Sequence, residues 1–524
     1  MPRGLARRVR ARGPAAAAAA LAGPGPRRRR AGPAPGRRGR QSRGPAVAPD
    51  GVEAAGEGGG AAPGRAPGQG ILELAKKLQH QQGVEASEHH GGSAGAESGG
   101  GPSRHGEAWP PRRLREAWAR EGLLRGCGGA AAAGAGSGPL RVAVLLSGGV
   151  DSSVALQLLA AAGHSCTAFY LQIWFQEDFR NFWGSCPWEE DLEYARAVCA
   201  QAGVPLEVVP MTDDYWAQVV ADSIGQVKRG LTPNPDMLCN SRVKFGAFAR
   251  YLDRRFPGQF DRIASGHYAH VEARPGPAGA EGAGGAALAL SADAVKDQTY
   301  FLAMLSRAQL ARALFPLGCL PKRRVREVAH AAGLANRDRK DSQGICFLGK
   351  VRFSEFVAEH LGTWPGLILE EESGAALGFH RGYWFHTIGQ RTGLYLPDGP
   401  WYVVRKDLRM NALYVSKDYY ALEKLRDAFK CGAFNWLVDD PPAHGERLEC
   451  KVRHGAAMYG CRILYEAGGG AATVLLDGSD QGLAAGQYAV FYRGRRCLGS
   501  AVMLGGCERP TGAAAGPAAL GAGA

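Results

Sequence analysis

The run Arg141-Val-Ala-Val-Leu-Leu146, followed without a break by Ser147-Gly-Gly-Val-Asp-Ser-Ser153, limits the folds open to this chain more than any other segment. A short β-branched and aliphatic run reads as a strand buried on both faces, the kind found in parallel sheets. Val154–Ala162 reads as a helix closed by Gly163. Strand, glycine turn and helix start together aim backbone N–H groups and a helix dipole at an anion, and Gly148 and Gly149 let a phosphate reach the main chain. The turn has neither the G-K-[ST] ending of a P-loop nor the G-x-G-x-x-G of a dinucleotide fold. The prediction is an α/β, Rossmann-like domain built on a phosphate loop of a different kind.

The charge of the 524-residue chain is placed unevenly. Residues 1–50 hold thirteen Arg and one acid, Asp50, so they carry +12 of the net +14 and leave the rest nearly neutral. Binding by bulk charge scales with the number of phosphates neutralised. A histone-like body is therefore excluded, and any nucleic-acid site must be local. Gly and Ala crowd Gly51–Gly70, Gly91–Pro102, Gly128–Gly138 and the tail at 506–524, and such stretches bury too little surface to offset chain entropy. Residues 1–138 are expected to be a largely disordered leader, with short helices at Ile71–Gln82 and Pro111–Arg125. The Arg-rich, nearly acid-free opening has the composition of a transit sequence for a chloroplast or mitochondrion; the alternative is a solvated or RNA-binding arm on a cytoplasmic protein. No apolar run approaches the ~20 residues of a membrane span. The chain is expected to be a monomer.

Twelve cysteines are spread from Cys127 to Cys507 without a C-x-x-C pair. No metal site is expected from them; most read as buried small hydrophobes in a reducing compartment. Two stand in unusual surroundings. In Leu231-Thr-Pro-Asn-Pro-Asp-Met-Leu-Cys-Asn240, the two prolines and Asn234 force an irregular turn, and Asp236 and Cys239 lie three apart at the start of a helix running through Phe245–Tyr251. A helix dipole favours a thiolate in the first turn, and a nearby acid can shuttle its proton. On this motif alone a buried structural cysteine remains the better reading. Cys346 lies in Lys340-Asp-Ser-Gln-Gly-Ile-Cys-Phe347 after the basic run Arg337–Lys340, and nearby cations suit a thiol to carry sulfur. Between the two cysteines stand Ser265-Gly-His-Tyr268 and Lys296-Asp-Gln-Thr-Tyr-Phe301. The residues by themselves lead only to an ATP-using thiol enzyme.

S-G-G-V-D-S-S after such a strand resembles the pyrophosphate loop of the ATP pyrophosphatases. Together with N-P-D-x-x-C-N, S-G-H-Y, K-D-Q-x-Y-F-L, F-P-L-G, K-D-S-x-G-I-C-F and T-I-G-Q-R-x-G-L in this order, it resembles the tRNA uridine 2-sulfurtransferases (tRNA 2-thiouridylases) over about Arg141–Leu504. Trp174–Phe179 and Cys186–Leu192 are most similar to plant and algal organellar members. The resemblance implies that ATP, with Mg²⁺ on Asp151, binds at Leu145, Leu146, Ser147, Gly148, Gly149, Val150, Asp151, Ser152 and Ser153, with Leu171 of the next strand (Thr167–Ile173) on the base and Gly266 as a further contact. ATP would adenylate the C2 oxygen of the wobble uridine of a tRNA. Cys346 would arrive as a persulfide loaded by a cysteine-desulfurase or sulfur-relay protein and deliver its outer sulfur. Cys239 would release that sulfur or form a disulfide with Cys346, and Asp236 would act as acid/base and contact the target base with Asn234 and Pro235. His267, Lys296, Asp297, Gln298, Arg453, His454 and Gln487 fall at tRNA-contact positions, His454 where Tyr is usual. Thiolates suit the task, since they attack carbon at neutral pH far better than hydroxyls.

The implied architecture is a pyrophosphate-loop domain over 139–350, a small strand-and-turn domain over 351–426 and a tRNA-clasping β-barrel over 427–505. Alternating runs such as Glu449–Arg453, Ala472–Leu476 and Tyr488–Tyr492 fit the barrel, and Pro275–Gly285 reads as an inserted flexible loop. An amide-forming synthetase or a 4-thiouridine synthase would share the loop but would not need both cysteines. A non-enzymatic RNA-binding relative would not need to keep Ser147, Asp151, Asp236 and the two cysteines together.

Overall fold

Arg141–Leu145 is the middle strand of a five-stranded parallel sheet in a computed structural model that describes residues 109–128, 138–173, 187–273, 285–341, 353–419, 426–455, 457–480 and 482–509. The expected transit segment, the helix at 71–82, the Trp174–Phe179 run, Cys186, the insertion up to residue 284, Cys346 with the motif around it, and the tail from Pro510 lie outside the described residues. The strand alternates as a strand buried on both faces must. Val142, Val144 and Leu146 enter one core with Val154, Leu158 and Ala264. Ala143 and Leu145 enter another with Phe169, Cys239, Phe245 and Tyr300.

The sheet order is 206–210, 165–172, 141–145, 262–264, 313–314, all parallel. The chain steps outward in one direction from 141–145 and resumes on its other side at 262–264. The strand order therefore switches between these two neighbours, and in open α/β sheets ligands bind in the crevice beyond the carboxyl ends at such a switch. Both loops leaving that crevice were singled out in the sequence, Ser147–Ser153 after one strand and Ser265–Tyr268 after the other.

Strands 366–370, 376–380, 402–407 and 412–416 form a separate four-stranded sheet. Six antiparallel strands, 428–436, 471–476, 459–465, 447–451, 488–493 and 496–506 in spatial order, close into a barrel because 496–506 pairs back onto 428–436. Closure leaves no exposed edge in the ring, and Cys431, Cys450 and Cys461 line its interior with Phe429, Val474 and Phe491. The hairpin 270–273/286–289 pairs outside the parallel sheet. It lies within 139–350 in sequence, but it extends the barrel sheet through the pairing of Ala289 with Arg496 and the bond from Leu290 N–H to the Arg495 carbonyl, 2.8 Å. Among the described residues no helix is long and apolar enough to cross a membrane.

The short helix expected at Pro111–Arg125 is present, but residues 109–128 are packed into the core of the folded body, which corrects the expectation that they belong to a disordered leader. Arg112–Arg120 is a helix and Leu123–Cys127 a 3₁₀ turn. Trp118, Leu123 and Cys127 are 3%, 4% and 1% exposed, inside the core that contains the helix Val150–Ala161. Trp109 donates its indole N–H to Gln157, Arg324 pairs with Glu121, and the His164 ring contacts the Cys127 carbonyl at 3.0 Å. Gly126 passes so close to Pro316 that an added Cβ would meet its carbonyl oxygen at 2.4 Å. The helix is legible in the sequence, but the Gly/Ala runs on either side dilute two Trp and three Leu in a window average and so hide its packing. We call it the strap.

Candidate functional site

The phosphate loop is held by its own hydroxyls. Ser152 Oγ accepts from Ser147 N–H (3.2 Å), lies 3.1 Å from Ser147 Oγ and donates to the Gly149 carbonyl (3.0 Å), which also receives Ser153 Oγ–H at 3.0 Å. Asn336 Nδ2 donates to the Gly148 carbonyl (2.7 Å) and to Ser153 Oγ (2.9 Å). With the carbonyls engaged from behind, the N–H groups of the Val150–Ala161 helix start face forward, as anion binding requires. Gly148 has φ +74°, and an added Cβ would strike the Asp191 carbonyl oxygen at 2.2 Å.

Gly266 closes the crevice from the neighbouring strand. An added Cβ there would stand 2.6 Å from Ser152 N and 2.8 Å from Asp151 C, both backbone atoms that cannot swing aside. Forcing such a contact costs about 1–3 kcal/mol. Gly266→Ala is expected to weaken ATP binding by about tenfold or more, which calorimetric titration of the purified protein reads directly; unchanged affinity would remove Gly266 from the site.

A charge network lies beside the loop. Lys322 Nζ reaches both oxygens of Asp151, at 2.7 and 2.9 Å, and Asp341 at 2.8 Å. Lys296 and Arg326 also pair with Asp341, at 2.9 and 2.5 Å. Burial works against the Asp341 charge, yet the bonds from Lys322, Lys296 and Arg326 hold its carboxyl well below the usual carboxylate range. Tyr268 donates its O–H to Asp151 at 2.9 Å, and burial followed by that neighbouring carboxylate pushes the phenol up, so it remains a donor. Arg339 meets Asp191 at 2.5 Å and the Gly148 carbonyl at 3.3 Å. Lys322, Lys296 and Arg326 thus share Asp151 and Asp341, with Asp293 accepting the backbone N–H groups of Lys322 and Lys296 beside them, so the cluster is close to neutral and an arriving phosphate would compete with these carboxylates for the two lysines.

The Leu231–Asn240 segment folds as the capping chemistry dictates. Asn234 caps the helix, its Oδ1 accepting Met237 N–H at 3.2 Å, with Pro235 in the first helical position. The helix then widens into a π-helical stretch, Cys239–Ala247, before resuming as an α-helix at Phe248–Arg255. Such insertions recur at functional sites. Asp236 occupies the first turn. Cys239 is the fifth helical residue, one turn further in than the sequence reading placed it, and is 0% exposed. Chemistry at that sulfur requires the segment around it to open.

The barrel grips the same segment. Gln487 accepts from Asn234 Nδ2 at 3.2 Å and donates to the Thr232 and Pro233 carbonyls at 3.3 and 3.0 Å, while Thr232 N–H bonds the Ala485 carbonyl at 2.8 Å. His454 packs on Phe301 with ring centroids 4.5 Å apart; burial lowers its pKa, aided by Lys451 and opposed by Asp297 and Asp236. The structure therefore brings Asn234, Pro235, Asp236, His454 and Gln487 together.

Other residues singled out in the sequence face elsewhere. Asp297 is 3% exposed and uses its carboxylate inward, accepting from Ser291 N–H (2.7 Å) and from the Thr299 N–H and hydroxyl (3.2 and 2.5 Å). Gln298 accepts Tyr268 N–H at 2.9 Å. His267 bonds Ser265 Oγ at 2.8 Å beside Phe245 and Phe315, and burial, with Lys244, lowers its pKa to about 3, so the ring is neutral. Lys296 belongs to the network at the phosphate loop, and Arg453 is paired with Asp480. Leu171, on the second strand, is half-buried against the core that holds Phe169 and Cys239. Lys322 and Asn336 reach the phosphate loop without belonging to any motif in the sequence. One cue was present: Lys322-Arg-Arg324 opens a helix with no acid in its first turn, against the dipole preference, so another partner had to hold those cations.

Comparison with known proteins adds a family relation. Residues 140–350 match the family described as tRNA methyl transferase HUP domain, 354–417 the tRNA methyl transferase PRC-barrel domain, and 426–503 the aminomethyltransferase beta-barrel domain. The tRNA-specific 2-thiouridylase MnmA of Parabacteroides distasonis is 41% identical over 373 residues, covering 70% of this chain and 99% of that protein. MnmA 2 of Bacteroides fragilis is 41% identical over 364 residues (68% and 98%), and MnmA of Porphyromonas gingivalis 40% over 376 (70% and 99%). Among solved structures, an NMN synthetase from Francisella tularensis aligns at 14% identity with a TM-score of 0.27 over 44% of this chain and 75% of that one, too slight a likeness to argue from.

Proposed function

The chain belongs to the tRNA-specific 2-thiouridylase family, and from that premise we propose that it converts the wobble uridine of a tRNA to 2-thiouridine with ATP and a cysteine persulfide. The observation that carries this reading is the pairing of a hydroxyl-braced phosphate loop at a sheet switch point with an Asn-capped, cysteine-bearing helix gripped by a barrel. The uridine C2 oxygen attacks the α-phosphorus of ATP, an O–P bond forms, and pyrophosphate leaves. The outer sulfur of the Cys346 persulfide then attacks C2 and AMP departs with the oxygen. Cys239 thiolate attacks Cys346 Sγ, releasing the thiocarbonyl and leaving a Cys239–Cys346 disulfide that a thiol reductant reopens. Asp236, whose charge is felt at His454, moves the proton.

Ser147–Ser153 and Gly266 would hold the triphosphate, and Lys322 and Lys296 would neutralise it. Mg²⁺ fits Asp151, because this ion commonly takes one carboxylate plus substrate phosphates; among the described residues no group of three or more His, Cys, Asp and Glu could hold a metal by itself. When bound, the ion would draw charge from the phosphates. Asp341 starts the five-residue reach to Cys346, a covalent span of at most ~18 Å, so the carrier thiol is tethered to the charge network. Methyl transfer, named in the family description, releases no pyrophosphate and would leave the phosphate loop idle.

The persulfide would come from a cysteine desulfurase or sulfur-relay protein. We read residues 1–50 as a leader for a chloroplast or mitochondrion, in keeping with the organellar resemblance; its support is the +12 charge with one acid. The chemistry is tested by mass spectrometry of tRNA after incubation with ATP and a persulfide donor. Asp151→Ala should lower 2-thiouridine formation by roughly 10²-fold or more; because Tyr268 and Lys322 lose their acceptor, the rate is read well below the variant's own melting midpoint, and a normal rate would overturn the loop's assignment.

A further inference from the structure

Between the four-stranded sheet and the barrel lies a cavity of about 510 Å³ that the chemistry above does not use. One wall is the four-stranded domain, with Thr387, Tyr402 and Tyr419. The opposite wall is the barrel, with Arg453 and Gln487, and Thr232 completes the lining. Thr232 stands four residues before Asp236 on the segment that Gln487 grips by its carbonyl groups, so the cavity opens beside the place assigned to the target base. Its volume is in the range of pockets that enclose a small organic molecule, of which a single nucleotide is one.

The lining has two parts that suit a nucleotide. Tyr402 and Tyr419 are stacked, with ring centroids 4.8 Å apart and planes within 15°. Tyr419 is 9% exposed and lies against Gly389, where an added Cβ would meet its hydroxyl at 2.7 Å; Tyr402 is the more open ring. Single-stranded RNA bases are commonly bound on such aromatic faces. Arg453 supplies the cation. Its guanidinium pairs with Asp480, which is also fixed by Tyr459 O–H at 2.8 Å and by Gly482 N–H at 2.7 Å, while the Arg453 side chain remains 55% exposed. It is aimed by a buried acid and still open to an incoming phosphate.

We propose that this cavity seats the nucleotide adjoining the target uridine, its base stacked on Tyr402 and its phosphate facing Arg453, and so fixes the register in which the uridine meets Asp236. This deepens the tRNA reading and rests on it. The central domain thereby becomes part of the RNA-binding surface, and Tyr402 a positioning and specificity residue.

The test compares wild type, Tyr402→Ala and Tyr402→Phe on three tRNAs: intact, abasic on the 5′ side of the target uridine, and abasic on the 3′ side. Loss of one stacked base is worth about tenfold or more. Tyr402→Ala should raise KM for intact tRNA by about that factor, with the loss falling on KM rather than kcat, and Tyr402→Phe should restore it. One of the two abasic tRNAs should cost wild type the same factor and cost Tyr402→Ala nothing further. An unchanged KM in Tyr402→Ala, or losses that multiply for both abasic positions, would overturn the pocket. If neither abasic tRNA weakens wild type, the pocket also falls, even should the variants fold poorly. Normal 2-thiouridine formation by wild type in those cases keeps the tRNA reading intact, whereas absence of product on every tRNA would bring down both.

Discussion

Cys239→Ser is expected to lower 2-thiouridine formation by roughly 10³-fold or more, the scale seen when a nucleophile is removed, while the protein still accepts sulfur. Cys346→Ser is expected to lose both persulfide and product, because a hydroxyl cannot carry the outer sulfur. The two losses are separable by mass spectrometry of the peptide holding residue 346, run beside product analysis. Cys239 has no exposed surface and stands among Met237, Leu238 and Val243 in the core. Serine there costs about 1–3 kcal/mol for a poorly paired hydroxyl, so a melting curve must accompany each rate. Cys431, Cys450 and Cys461, which line the barrel, should tolerate alanine at a stability cost without loss of chemistry. A Cys346→Ser protein that thiolates tRNA as fast as wild type would defeat the sulfur-carrier mechanism and leave only adenylation.

Local signals were legible and tertiary ones were not. The strand at 141–145, the glycine turn and the following helix are all local, and each carries its own rule of burial period, backbone freedom or capping. The barrel strands could also be read, but as short apolar and aromatic runs and not by the alternation expected of them: Ala471–Leu476 and Tyr488–Arg493 are each buried at five of six positions in succession. What escaped depends on pairing across long separations. Ala289 meets Arg496 because the last strand extends beyond the Trp436–Gly499 pair at which its register with 428–436 ends. Lys322 meets Asp151 across 171 residues, and Asn336 meets Gly148 across 188. The inward turn of Asp297 is of the same kind: the motif identified the residue, but nothing local determined which way its carboxylate faced. The Cys239 helix was found by its Pro–Asn punctuation, yet the π-helical widening that follows it has no periodic signature in nine residues.

The strap gives the second large expected effect. The matched family region begins at residue 140, and a truncation designed on composition alone would remove residues 1–138. That cut also removes Trp118 and Leu123, whose burial stabilises the fold by about 1.5–3 kcal/mol each. It uncovers the apolar side of the helix that begins at the phosphate loop, where Val154 and Leu158 are 0% exposed. The combined loss, several kcal/mol before the entropy recovered by freeing the strap, is a large part of the 5–15 kcal/mol that holds a domain together. Residues 139–524 are therefore expected to melt at least ~5–10 °C lower than 109–524, or to aggregate, whereas 109–524 should melt and turn over like the full chain because the strap stays attached. Trp118→Ala in the full chain isolates the packing from the truncation; it should cost about 3–5 kcal/mol and lower the midpoint by at least ~5 °C. Because the strap holds the outer face of the loop helix, ATP affinity should fall in the same variants even below their melting temperature. Equal midpoints and equal ATP affinities for 139–524 and 109–524 would return the strap to the leader and restore residue 138 as the boundary of the folded body.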